Sequence, residues 1–369
     1  MRYLTLAAII MLTIVAGYSA LWFYAAGRVE DEVRTRMAQF EARGSRVEAG
    51  LEISGFPFQI IADFDRPAAS SGASGTAWSW SADHARALIQ PWDPDRIDLV
   101  LDGKHSLALY DGGNEGRELI TSEIAIARGR ASLAFDADGL VQFSASLSHV
   151  GLGNIAPSAR GLAVPAVIDH LQLLVRRGDD EGVRALFDAD GGAQAATEVG
   201  DAPLAAVVAL SVKGATIPGL SPTVLGPAIT ALEAESGLYA HEIPAFQVDE
   251  LVTWAARGGR LQLSYFNLDW GPLKVKASGP IAVDGGGRPI VALEAFVTGH
   301  AGLFDAFAES GLIEPSHAAS ARMLVDLLPR QGPEDALMLP IIIDQGLLYL
   351  GPVPITSVGA ISDLAPAMP

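Results

Sequence analysis

A mainly β, α+β fold held behind one N-terminal transmembrane helix is predicted by three features of this 369-residue sequence. The first is a run of 24 uncharged residues from Tyr3 to Ala26. The second is the punctuation of the remaining chain by 39 glycines and 22 prolines, which set short apolar runs apart as strands joined by tight turns. The third is a period-two alternation at the best-defined of those runs, Leu140 to Val150, where Val141, Phe143, Ala145 and Leu147 share one face and Gln142, Ser144, Ser146 and Ser148 the other. The architecture expected is a set of large curved antiparallel β sheets with a few packed helices.

The N-terminal run, YLTLAAIIMLTIVAGYSALWFYAA, exceeds the roughly 20 residues a helix needs to cross a bilayer core. Its candidate anchor residues are Leu4, Leu6, Ile9, Ile10, Leu12, Ile14, Val15, Leu21, Trp22 and Phe23. Tyr18, Trp22, Phe23 and Tyr24 gather at the far end, where amphipathic rings favour the headgroup level. Arg2 precedes the run, and Arg28, Glu30, Asp31 and Glu32 follow it, a balance that leans toward the N-terminus inside. The expectation is an inner-membrane, single-pass protein with its bulk in the periplasm. A cleaved secretory signal is the competing reading, with its best cut after Ala25-Ala26-Gly27, although signal h-regions run only about 7–15 residues.

Residues 1–27 are therefore read as the anchor and 28–43 as a helical stalk, with Val29, Val33, Met37 and Phe40 in one stripe. Residues 44–369 form the β-rich extracytoplasmic region, divisible into lobes 44–160 and 161–369. Strands are expected on both sides of a corner at Gly55-Phe56-Pro57, then over 76–81, 96–101, 106–110, 118–127, 131–135 and 141–150, an antiparallel meander. The stretch 202–212 fits helix or strand, and a short helix flanked by loops is read near Asp179 to Gly192. Helices are expected at 222–235, 248–257, 303–309 and 318–328, the second closed by Gly258-Gly259. Further strands are expected at 260–268, 273–277, 280–283, 290–297, 338–343 and 347–350, with Pro352, Pro354 and Pro366 discouraging regular structure afterwards. Three segments echo one another, LEISGFPFQIIADFDRP, NLDWGPLKVKASGPIAVD and LLYLGPVPI, each setting a strand against a Gly-Pro or Gly-Phe-Pro corner.

Composition excludes several functions. A formal charge of -18 repels phosphate backbones, so nucleic acid is not an expected partner. The absence of cysteine removes disulfides, thiolate metal sites and cysteine nucleophiles. The histidines at 84, 105, 149, 170, 241, 300 and 317 never fall at the three- or four-residue spacing that grips a metal from one helix. Gly72-Ala73-Ser74-Gly75 lacks the spacer of a nucleophile elbow. Gly151-Leu152-Gly153-Asn154-Ile155-Ala156 follows a strand, but Pro157 and Gly161 deny it the helix a dinucleotide needs. Asp136-Ala137-Asp138-Gly139 and Asp188-Ala189-Asp190-Gly191 begin like calcium loops and lack the closing Glu, so turns explain them. No catalytic, cofactor or metal residue is assigned. Trp78 and Trp80 share a strand face, as a core stripe or an aromatic platform, with Trp92 nearby.

Gly55-Phe56-Pro57-Phe58, Gln90-Pro91-Trp92, Trp254 through Gly258-Gly259-Arg260-Leu261, Asp269-Trp270-Gly271-Pro272-Leu273, and Leu339-Pro340 through Leu350-Gly351-Pro352 occur in order along the chain. In these segments the sequence resembles the alphaproteobacterial domain of unknown function 2125 family of envelope proteins. That resemblance covers nearly everything after the anchor and implies no catalysis and no site residues. The strand and Gly-Pro pattern is also similar, more distantly, to large envelope proteins whose curved sheets cradle lipid. The function expected is a non-enzymatic anchored protein that binds lipid, another amphiphile or an envelope partner. A periplasmic hydrolase using paired carboxylates and a purely structural scaffold are the alternatives.

Overall fold

In the computed structural model, the residues described are 2–42, 44–71, 76–111, 118–153, 166–178, 202–218, 225–241, 248–299, 308, 318–319, 322–323, 330, 336–351 and 353–360. Helix α1 (Arg2–Ala42) runs unbroken from the uncharged stretch through the stalk. Its C-terminal half is supported by Glu30–Arg34 and Glu32–Arg36 pairs, each at 2.7 Å, with the acid one turn before the base as the helix dipole prefers. The chain then divides into two units, Met1–Val141 with Ala145–Pro165, and Gln142–Ser144 with Ala166–Pro369.

In the first unit, β1 (Ser45–Ser54) and β2 (Ile60–Ser71) form a hairpin across the Gly55 corner, with Ser54 opposite Ile61. Gly55 has φ +101°, and a Cβ there would lie 2.5 Å from the Gln59 carbonyl oxygen, so the corner requires glycine. Strands β3 (Thr76–Ala82) and β4 (His84–Gln90) lie end to end along β2, and β5 (Asp93–Val100) and β6 (Gly103–Asp111) do the same along β7 (Glu118–Asp136). β4 pairs with β5 and β3 with β6, which closes the meander read from the sequence. The interruptions coincide across the sheet: a register shift at Glu48/Gly50, Arg66 with φ 45°, the break at Asp83, and the break at Leu101–Asp102, where Asp102 accepts a hydrogen bond from the Gly129 N–H at 2.6 Å. Irregularities aligned in this way bend a sheet transversely. β8 (Gly139–Leu152) follows β7 through the Asp136 turn, in which the Asp138 N–H donates to Asp136 Oδ1 at 2.8 Å.

The second unit is an antiparallel run in chain order: β9 (Ala166–Arg177), β10 (Leu204–Thr216), β11 (Ala228–Tyr239), β12 (Arg260–Trp270), β13 (Leu273–Val283) and β14 (Pro289–Thr298). Helix α2 (Val248–Ala256) lies in the β11–β12 connection and ends at Gly258. β15 (Leu337–Met338) and β16 (Ile341–Asp344) pair with β14, and β17 (Leu347–Leu350) and β18 (Val353–Ser357) complete the order. The core joins Leu273, Val275, Ala277, Ala295 and Val297 of β13 and β14 to Leu337, Leu339 and Leu350.

Two expectations are overturned. The predicted helix at 222–235 is instead strand β11 from Ala228, because an Ala- and Glu-rich stretch with helical propensity is captured between β10 and β12, whose ladders satisfy both of its edges. Pro354 does not prevent regular structure: β18 includes it, facing Tyr349 at a register shift, where a missing donor is tolerated, while Pro352 and Pro366 lie outside the described residues. The ambiguous 202–212 stretch is strand β10, while β4 and β9 were not foreseen. Helical residues occur at 308, 318–319 and 322–323; the rest of those two predicted helices, the short helix near 179–192, and the 72–75 and 188–191 motifs lie outside the described residues. The three echoing segments are all hairpins, β1–β2, β12–β13 and β17–β18, and Gly55, Gly271 and Gly351 each take positive φ at the corner.

Candidate functional site

The β1–β2 corner docks on α1. Trp22 is 4% exposed and packs with Ala26 and Ile60, with Ala25, Val29, Ile53 and Ile89 around them. Its indole meets Phe56 edge-on at 5.4 Å, and Phe23 stacks on Phe56 at 5.5 Å. Two hydrogen bonds fix the level of the corner along the helix: Tyr18 Oη donates to the Pro57 carbonyl at 2.5 Å and Trp22 Nε1 to the Gln59 carbonyl at 3.2 Å. Of the anchor residues named from sequence, Leu6, Ile9, Ile10, Leu12, Ile14, Val15, Leu21 and Phe23 are exposed along α1, whereas Trp22 is turned into the protein; nothing is described of the Leu4 side chain. The helix is long and apolar enough to span a membrane from Ile9 onward, a test that a signal sequence also passes.

A second place sits on one face of the bent sheet, where register puts three strands into a small grid. Glu52 of β1 is opposite Asp63 of β2, which is opposite Arg86 of β4; one step along, Gly50 is opposite Asp65, which is opposite His84. The missing side chain at Gly50 leaves a shallow depression of about 420 Å³ lined by Gly50, Leu51, Glu52, Asp63, Asp65 and His84. Arg86 Nε donates to Asp63 Oδ1 at 2.8 Å, and His84 Nε2 lies 3.3 Å from that oxygen. This grid was not foreseen in the sequence. Its trace there is the i, i+2 spacing of Asp63 with Asp65 and of His84 with Arg86, whose meaning depends on the unforeseen strand β4.

In the second unit, register aligns an apolar row across six strands: Leu171, Val212, Leu232, Leu268, Val275 and Val297, followed by Leu173, Leu210, Ala234, Phe266, Ala277 and Ala295. The β13 and β14 members are buried, while Leu171, Val212, Leu232 and Leu268 are only half-buried. On the opposite face Lys213 pairs with Glu233 at 3.6 Å, and Val207 and Ala209 of β10 are buried. Burial raises the Glu235 carboxyl above its ordinary pKa, and it raises Tyr265, which Glu233 raises further by its charge and hydrogen bond.

Among the described residues no group of three or more His, Asp or Glu side chains is placed to hold a metal ion. Buried His105 stacks on Trp80 at 6.1 Å and sets a ring nitrogen 2.9 Å from the Leu101 carbonyl, so it belongs to the structure of the sheet. Trp78 and Trp80 are half-buried, and Trp92 is exposed at the β4–β5 turn.

No curated protein and no solved structure matches the chain. A family model does match over residues 22–358, beginning at the buried indole of Trp22, and the chain belongs to that family, DUF2125, described as an uncharacterized protein conserved in bacteria.

Proposed function

We propose that this chain is a non-enzymatic, membrane-anchored periplasmic protein that holds a lipid or similar amphiphile on the apolar face of its second unit, in maintenance of the envelope. The observation that carries the ligand class is the aligned row from Leu171 to Val297, half-buried over β9 to β12 and closed by core over β13 and β14. An apolar face of this width accepts acyl chains without requiring polar partners. Retention of the anchor is supported by the docking of α1, because cleavage near Ala26 would remove Tyr18, Trp22 and Ala26 from the junction they build with the corner.

The test is organic extraction and mass spectrometry of the full-length chain purified in a mild detergent. A lipid-class species is expected in near-stoichiometric amount, and Leu232→Lys should abolish its retention while leaving the fold intact by circular dichroism. Repeated recovery of an empty protein would contradict the reading.

The Glu52, Asp63, Asp65 and His84 grid favours a second reading, a hydrolase with paired carboxylates. Its weakness is chemical: Asp63 is already bound by Arg86, whose Nε also donates to His84 Nε2, in an open, solvated depression, which leaves little driving force for proton transfer. A hydrolytic activity lost in Asp63→Asn would favour it.

A further inference from the structure

The corner that docks on α1 carries two exposed phenylalanines, Phe56 at 49% and Phe58 at 73%, on a turn without a charged residue between Gly55 and Gln59. Because Ile60 is opposite Ile89, the β4–β5 turn lies at the same end of the sheet, and it presents Trp92 at 63% exposure. Three aromatic rings therefore crown the end of the first unit that packs on the helix. We propose that this end is a second membrane contact: the Phe56–Phe58 corner immerses in the phospholipid leaflet that α1 leaves, with Trp92 at the headgroup level.

Depth follows from the hydrogen bonds. At 1.5 Å per residue, the 24 uncharged residues span about 36 Å against a hydrocarbon core of about 30 Å. Centring the run puts the boundary near Tyr24, so Trp22 lies about 3 Å and Tyr18 about 9 Å inside it. The carbonyls bound by those two side chains belong to Gln59 and Pro57, which brings the corner to the same depth.

Part of the turn's backbone is satisfied by protein, as this position requires. A backbone group in hydrocarbon must be satisfied by protein. Here the Pro57 and Gln59 carbonyls accept from Tyr18 and Trp22, the Gln59 N–H donates to the Gly55 carbonyl at 3.2 Å, and Pro57 has no N–H to satisfy. Asp93 follows Trp92 directly and halts that turn at the interface, where indole rings are favoured. With a chain charge of -18 the contact draws on aromatic burial and needs no anionic lipid.

This inference rests on the anchor reading, and the test separates the two. The chain has no cysteine, so single nitroxide labels can be placed at Ile10→Cys, Phe58→Cys, Trp92→Cys and, as a control on the first unit away from the corner, exposed Ser81→Cys in the full-length protein reconstituted in phosphatidylcholine nanodiscs. Collision rates with oxygen, which partitions into lipid, and with a water-soluble nickel chelate report immersion. Labels at 10 and 58 should favour oxygen several-fold over the label at 81, with the label at 92 between them and no change on raising salt. A label at 58 that meets the nickel chelate as freely as one at 81, while position 10 stays protected, would overturn the immersed corner and leave the anchor standing. Free access of the chelate to position 10 would overturn both.

Discussion

Trp22 is the residue on which the junction between helix and sheet turns, since it joins a buried indole to a hydrogen bond on the corner. Trp22→Ala removes both and is expected to cost on the order of 3 kcal/mol, read as a lower midpoint of denaturant unfolding for the detergent-solubilised chain. Trp22→Phe keeps most of the ring contact but leaves the Gln59 carbonyl without its donor, at a cost of about 1–3 kcal/mol. Gly55→Ala has no such graded outcome: φ +101° and the Gln59 carbonyl both oppose a Cβ, so the corner must rebuild, and loss of the hairpin by hydrogen exchange is the expected result. By contrast, Asp63→Asn breaks a partly solvated ion pair with Arg86 and should change stability by less than about 1 kcal/mol.

At the scale of elements, the polar face of β11 carries a pH signature. Burial raises the Glu235 pKa above its unfolded value, so ionising this group opposes folding. Its contribution is most favourable below the unfolded pKa and is lost as pH rises through the folded one. Glu235→Gln should therefore raise the melting temperature at pH 7, with the advantage disappearing near pH 4; an equal gain at both pH values would show that charge burial is not the cause. The same strand shows where sequence patterns mislead. β8 was legible because alternation is local chemistry, and the first part of α1 because its uncharged run is unbroken, while the two strands expected at 273–277 and 280–283 are the single strand β13. β11 was not, since Ala, Leu and Glu at 231–235 favour a helix until β10 and β12 supply ladders on both sides. β18 escaped notice because only the finished sheet shows that Pro354 sits at a register shift. The grid at Asp63 and His84 needs a pairing between β2 and β4, which composition and spacing do not carry.

For the whole molecule, the apolar N-terminal run and the β-rich region are usually separable ideas, a membrane segment and its cargo. Here they share a core, because Ile53, Ile60 and Ile89 of three strands close on Trp22, Ala25, Ala26 and Val29 of α1. Deleting residues 1–27 would uncover that apolar surface, and the truncated chain is expected to bind a hydrophobic dye and unfold at lower temperature than the detergent-solubilised full chain. The shared core requires that α1 remain in the mature protein. Intact-mass and N-terminal peptide analysis of the protein recovered from carbonate-washed membranes tests this most directly: a chain that still carries Tyr3 to Ala26 is the predicted result, and a mature N-terminus at Gly27 or Arg28 in a washed-off, soluble form would contradict it.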